Sequence, residues 1–242
     1  ALSSAGEWAD RVHSLLGLHA TEGNTVDVLR NGDEIFGAML DAIDGAEQTV
    51  DIVTFVFWSG HVADRFAQAL VGAANRGCRV RVLVDALAER KLDSQVINTI
   101  KGSSCELRWF RPFTDEKIPQ LNGANNRTHR KILVVDGTVG FIGGVGIADE
   151  WSGNARNEHE YRDTHLRVRG PAIAGLQAGF IDNWADHNHS GFDPMSESVI
   201  DSRPAGTTAC AVVQAAAENG SNDIWRLMIT LIACAQQRIR IA

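Results

Sequence analysis

Residues 128–144 read Thr-His-Arg-Lys-Ile-Leu-Val-Val-Asp-Gly-Thr-Val-Gly-Phe-Ile-Gly-Gly, and this stretch decides how the chain folds. Ile132 to Val135 is an apolar, largely β-branched run that reads as a buried strand. Asp136-Gly137 is a hairpin-turn pair, and Thr138 to Ile142 reads as the returning strand. Side chains alternate along a strand, so His129, Lys131, Leu133 and Val135 share one face. A His and a Lys two residues apart then point the same way near a strand end. Gly143 and Gly144 would let the backbone come close to a ligand, which makes them candidate substrate-binding positions.

Working outward, strand and helix patterns alternate. Glu34 to Ala46 carries apolar residues at 35, 38, 39, 42, 43 and 46, a helical stripe, and Thr49 to Phe57 follows as a strand. Val62 to Asn75 reads as a helix closed by Gly77, then Cys78 to Val84 as a strand. Leu92 to Ile100 is a short helix and Cys105 to Phe110 another strand. Beyond the hairpin, Tyr161 to Val168 is extended, and Pro171 opens a helix running to about Trp184. This order predicts an α/β fold on a mixed, largely parallel β-sheet flanked by helices on both faces. Arg79 and Arg81 alternate with apolar partners and are expected on a solvated face.

His129, Lys131 and Asp136 have the spacing H-x-K-x-x-x-x-D, which resembles the HKD signature of the phospholipase D superfamily. VDIVTFVFWSG (50–60), RGCRVRVLVDA (76–86) and YRDTHLRVRGPAIAGLQAGFIDNW (161–184) resemble segments around that motif in cardiolipin synthase-like members. The resemblance covers about residues 25 to 242. One departure stands out: many members carry Asn two residues after the glycine pair, where this chain has Gly146.

The resemblance implies phosphodiester cleavage without a cofactor or metal. Such a reaction needs a nucleophile, a cation for the non-bridging oxygens and an acid for the leaving oxygen. Carried over, His129 is the nucleophile that becomes a phosphohistidine, and Lys131 clamps the phosphate. Asp136 orders its turn. A nucleophilic His needs an acceptor that holds its other nitrogen, and Asp163 in YRDTH is the candidate, ahead of Glu158 and Glu160. In the family a second HKD histidine supplies the acid, and no second motif occurs in this chain. Trp58 and Trp151 are candidates for a substrate wall, with a core position the plainer reading for Trp58. His165 is expected to make a structural hydrogen bond.

The net charge of −7 argues against sequence-independent nucleic-acid binding, although Arg127, Arg130 and Lys131 cluster beside the motif. Cys78, Cys105, Cys210 and Cys234 form no C-x-x-C pair and read as small reduced hydrophobes. No apolar run has the length of a membrane span, and no intact signal peptide is visible. The histidines at 187 and 189 lie in a polar stretch and read as solvated rather than metal-binding.

The C-terminus holds a second informative pattern. SNDIWRLMITLIACAQQRIRIA repeats GDEIFGAMLDAIDGAEQTVDIV, with Ile224 matching Ile35, Met228 matching Met39 and Ile232 matching Ile43, each 189 residues on. Both copies read helix then strand. The expected organisation is a motif-bearing half over 1–187, a Ser/Gly/Pro/Asp-rich linker over 188–208, and the start of a repeated half over 209–242. The leading expectation is a cardiolipin synthase-like phosphatidyltransferase or phosphodiesterase. Its substrate would be a phospholipid, with peripheral membrane contact, and its partner a second HKD half from the same polypeptide or another chain. The alternative is a single-HKD endonuclease active as a homodimer, against which length, acidic charge and the repeat all speak.

Overall fold

A computed structural model describes residues 10, 13, 14, 16, 17, 20–112, 127–185, 200–215 and 223–240. Its strands are β1 (Thr21–Arg30), β2 (Thr49–Thr54), β3 (Arg79–Asp85), β4 (Glu106–Phe110), β5 (Ile132–Val135), β6 (Val139–Gly143), β7 (Thr164–Arg169) and β8 (Thr208–Cys210). The helices are α1 (Asn31–Asp44), α2 (His61–Asn75), α3 (Ser94–Lys101), α4 (Ile173–Ala185) and α5 (Asp223–Cys234). The strands form one sheet in the order β4-β3-β2-β5-β6-β7-β1-β8.

The α/β class, the mixed sheet and the helices on both faces match the sequence reading, but the balance of strand directions does not. Only β2–β3 and β3–β4 are parallel; every other pairing is antiparallel. The reason is local. Parallel neighbours need a crossover such as α2 or α3. Between β5 and β6 no helix intervenes, and the Asp136-Gly137 turn, with φ of 51° and 58°, folds β6 directly back onto β5. The unforeseen β1 pairs antiparallel with β7 and extends the sheet.

The sheet is buried on both faces. On one, Ile35, Met39 and Ile43 of α1, Phe66 and Leu70 of α2 and Ile100 of α3 pack on Ile52, Val82 and Leu133. On the other, Ile173, Leu176, Phe180 and Trp184 of α4 cover Val53, Leu83, Ile132 and Val134. Burying each such side chain contributes about 1.5–3 kcal/mol before entropy is counted. Cys78 and Cys105 are buried within the first core, where burial pushes their thiol pKa up.

Arg81 departs from expectation, because α4 lies over the face on which it was expected to be solvated. It is 3% exposed. Its guanidinium pairs with Asp51 through two contacts of 2.7 Å, and Gln177 Nε2 donates to the same carboxylate at 2.8 Å. The guanidinium also stacks over Phe180 and Trp184. Removing one partner would strand a buried charge, so this cluster ties β2, β3 and α4 together.

The C-terminal pattern behaves differently from its N-terminal counterpart. Ile35, Met39 and Ile43 are 0%, 6% and 0% exposed, whereas Ile224, Met228 and Ile232 are 42%, 45% and 43% exposed. Helix α5 forms, yet none of its residues is buried. The expected following strand is not formed over residues 235–240, where no other described strand pairs with it. Strand β8 ends at Cys210, and beyond it Val212 and Gln214 lie against Gly175 of α4.

Candidate active site

Residues 127–130 precede β5 without joining the sheet ladder. Their alternation persists nonetheless, because side chains hold the segment. Thr128 N–H donates to Asp85 Oδ2 at 3.1 Å and Thr128 Oγ1 to Asn183 Oδ1 at 2.8 Å. Arg130 donates to the Gly179 carbonyl and to Asp182 on α4, both at 2.7 Å. Thr128 and Arg130 are thus pinned to the α4 side. His129 and Lys131 face the other way, as strand alternation requires. Arg127 donates to the Arg111 carbonyl and pairs with Asp85. Of the expected basic cluster, Arg127 and Arg130 are therefore engaged by the chain itself, and Lys131 is the cation beside His129.

His129 is exposed, with its ring tilted against Phe55 at 4.9 Å between centroids. Lys131 Nζ lies 3.3 Å from His129 Nδ1 and donates to the His129 carbonyl at 3.0 Å. Lys131 is only 9% exposed, and burial lowers its pKa against the opposing pull of Asp163. The His129 pKa is also lowered, first by desolvation and then by the Lys131 charge, with Asp85 opposing. Near neutral pH the imidazole is therefore uncharged, the form that can attack.

Asp163 sits beside this pair without bonding to His129. Its carboxylate accepts from Trp151 Nε1 at 3.1 Å and from Thr164 N–H at 2.7 Å. Its backbone is held at both ends by Asn31, whose N–H donates to the Asp163 carbonyl and whose Oδ1 accepts from Asp163 N–H. Asn31 has φ of 57°, the left-handed region that Asn tolerates better than most residues. Glu160 is engaged elsewhere: it accepts from Asn154 N–H, Arg156 N–H and Asn157 Nδ2 and so braces its own loop. Glu158 is exposed.

The glycine pair packs closely against protein side chains. A Cβ on Gly143 would collide with the His165 ring, and one on Gly144 would lie 2.7 Å from Asp163 Oδ1. The close approach anticipated for a ligand is taken by these two side chains. His165 is 1% exposed, and among the described residues its Nδ1 has no hydrogen-bond partner. Gly146 lies flat against Val56, whose Cβ would be 2.5 Å from an added Cβ, so the Asn seen in many relatives has no room on this backbone.

Asp136 lies at the far end of β5, roughly 16 Å from Lys131 along the strand. It accepts from Glu47, Gln48 and Thr49 N–H at 2.9, 2.8 and 2.7 Å, clamping the entry to β2. Replacing it with Ala removes three charge-assisted bonds and puts a Cβ residue of poor turn propensity at positive φ. Unfolding free energy should fall by about 2–4 kcal/mol, read from denaturant melts. A loss under about 0.5 kcal/mol would contradict the clamp.

An aromatic wall adjoins Asp163. Trp151 contacts Trp58 at 6.1 Å and Tyr161 at 5.1 Å between centroids, and Lys91 Nζ lies 3.7 Å above the Trp58 ring. Both tryptophans are half-buried, so each is part support and part surface. Asp85, Phe55, Asn31 and Lys91 were not anticipated. The one available signal was Asp85, an acid closing the stretch Val82–Val84 at the carboxyl end of a parallel strand, where open α/β sheets place ligands. The histidines at 187 and 189 lie outside the described residues, and among those described no cluster of metal-ligating side chains occurs. Among the described residues no helix is long and apolar enough to cross a membrane.

Residues 39–161 match the family model described as "Cardiolipin synthase, PLD-like domain". A cardiolipin synthase 1 of Bacillus anthracis is 31% identical over 218 residues, an alignment covering 88% of this chain and 42% of that protein. A cardiolipin synthase of Listeria monocytogenes serotype 4a is 33% identical over 179 residues, covering 72% and 36%. The chain thus spans less than half the length of these relatives. Among solved structures, Nuc from Salmonella typhimurium, a phospholipase D family member, aligns with a TM-score of 0.50 at 18% identity over 67% of this chain and 95% of its own. NucT from Helicobacter pylori aligns with a TM-score of 0.53 at 13% identity over 67% and 96%. At these identities the structural likeness establishes the fold alone.

Proposed function

Because the chain belongs to the cardiolipin synthase, PLD-like domain family, we propose that it carries one half of a site that moves a phosphatidyl group through a phosphohistidine on His129. The observation that carries this reading is the pairing of an uncharged, exposed imidazole with a buried ammonium 3.3 Å away. In the first step His129 Nε2 attacks phosphorus, a P–N bond forms, and the P–O bond to the leaving alcohol breaks. Lys131 neutralises the non-bridging oxygens as charge gathers there. A histidine of the second half protonates the leaving oxygen, then takes a proton from the acceptor hydroxyl. That oxygen attacks phosphorus, the P–N bond breaks, and His129 is regenerated.

The resting contact implies a rearrangement on substrate binding. An ammonium only donates, so Lys131 occupies the Nδ1 lone pair and leaves the ring proton on Nε2. Attack by Nε2 requires Lys131 to turn to the phosphate and Nδ1 to take up the proton. Asp163, whose carboxylate lies against Gly144 and whose charge favours the protonated Lys131, steadies that ammonium. Gly144→Ala pushes Asp163 away and is expected to lower kcat roughly 10–100-fold. The melting temperature should change by only a few degrees; an unchanged kcat removes Asp163 from the mechanism.

The second half is the partner this reading requires. Exposed Ile224, Met228 and Ile232 repeat the residues that α1 buries, which supports a covering element of the same kind. The substrate is a phospholipid, and the two tryptophans line its approach. Trapping a 32P-labelled phosphohistidine at residue 129 with a short-chain phospholipid, in a polypeptide carrying both halves, tests the proposal. Absence of label there defeats it, and cleavage of single-stranded DNA by a homodimer of this chain would favour the nuclease alternative.

A further inference from the structure

The carboxylate nearest in influence to the nucleophile is on β3, not β7. Asp85 is 0% exposed, yet three donors converge on it. Leu87 N–H reaches Oδ1 at 2.9 Å, Thr128 N–H reaches Oδ2 at 3.1 Å, and Arg127 Nη1 lies 3.6 Å from Oδ1. The first bond caps the 3-10 turn over Ala86–Lys91. The other two reach across to the residues just before His129.

We propose that Asp85 is a positioning residue for His129: it clamps the backbone of the segment that presents the nucleophile and supplies its negative counter-charge. Three features support this. The 127–130 segment has no sheet ladder of its own, so its conformation depends on side-chain anchors. Among those anchors, the Asp85–Thr128 bond at 3.1 Å ties the main chain one residue before His129 to β3, whereas the Arg130 N–H on the other side donates only within the segment, to Thr128 Oγ1 at 3.4 Å. Burial raises the Asp85 pKa, while Leu87, Thr128 and Arg127 oppose that rise and favour its ionised form. The charge groups facing His129 are then Lys131, which disfavours the imidazolium, and Asp85, which favours it. The two charges act on the imidazole in opposite senses.

Asp85→Asn tests this. The variant keeps the shape but takes the counter-charge from Arg127, which retains its bond to the Arg111 carbonyl, so some stability is lost and a denaturant melt verifies that the variant is folded. It leaves an amide N–H facing one of the donors, which loosens residues 127–128. In the two-half polypeptide kcat is expected to fall roughly 10–100-fold with KM little changed. In this chain alone, the His129 ring titration followed by NMR is expected to move to lower pH, and further than in Asp163→Asn. Asp85→Glu, which keeps the charge but not the reach, is expected to hold the titration in place while lowering kcat. An unchanged kcat overturns the inference. So does a kcat loss with the His129 titration unmoved, which would leave Asp85 as a scaffold residue only. The reading of His129 as nucleophile underlies the kinetic arm but not the titration, so a failure to trap phosphohistidine leaves the NMR arm intact and separates the two failures.

Discussion

His129→Asn is expected to abolish the phosphohistidine and to reduce phosphatidyl transfer by at least about a thousandfold, with the fold unchanged. The size follows from the kind of step removed. Without an imidazole the phosphorus has no protein nucleophile, and water must attack directly. The lack of structural cost follows from the environment. His129 is exposed, and the contacts of its side chain are the Phe55 ring and Lys131. Stability should therefore stay within about 1 kcal/mol of the parent. Lys131→Met provides the contrast. Lys131 is buried, so Met occupies similar space, and the loss falls on charge stabilisation in both chemical steps. The two variants separate in trapping: His129→Asn gives no label, while Lys131→Met labels slowly. In the parent, attack needs the neutral imidazole, so kcat/KM should rise with pH through a pKa below 6.5, since burial and Lys131 both lower it. An acidic limb at or above pH 6.5 would contradict that electrostatic arrangement.

The hairpin and the pairing of His129 with Lys131 were legible because they depend on contiguous residues. An apolar run, Asp-Gly and the returning strand announce themselves within fifteen positions, and β5 and β6 formed close to the expected bounds. What was not legible arises between distant segments. TEGNTVDVLR mixes polar and apolar residues without a clean period, and β1 becomes a strand because β7 offers it an antiparallel partner. Arg81 reads as a surface residue until α4, about a hundred positions later, folds over it. The glycine pair illustrates the same limit within the site. Sequence marks Gly143 and Gly144 as places of close approach, but only the fold shows that His165 and Asp163 are what approaches. Asp85 is the clearest instance. Its partner Thr128 lies 43 positions away, and no local pattern connects a strand-closing Asp to the residue before His129.

The burial of His165 carries the other large expected effect, a loss of stability in mild acid. Its ring is 1% exposed, and desolvation lowers its pKa from 6.5 to about 4, with Asp163 opposing and Lys131 reinforcing the shift. The folded pKa lies below the unfolded one, so between pH 6.5 and about 4 the unfolded chain binds a proton that the folded chain refuses. Stability from this group is complete above pH 6.5, declines as pH falls through that window, and is gone below it. At about 1.4 kcal/mol per unit the loss is about 3 kcal/mol, a large share of a typical 5–15 kcal/mol. His129 adds a smaller contribution of the same sign. Asp85 acts in the opposite sense, because its raised pKa makes the folded state take up a proton on acidification. Denaturant melts at pH 7 and pH 4.5 should show the difference. In His165→Met, which fills comparable space beside Gly143 without titrating, most of it should disappear. The Nδ1 atom has no partner to lose, so the variant should match the parent at pH 7 to within about 1 kcal/mol. An equal acid sensitivity in both proteins would place the titrating group elsewhere. A fall at pH 7 beyond about 2 kcal/mol would mean that the Gly143 seat requires the flat imidazole itself.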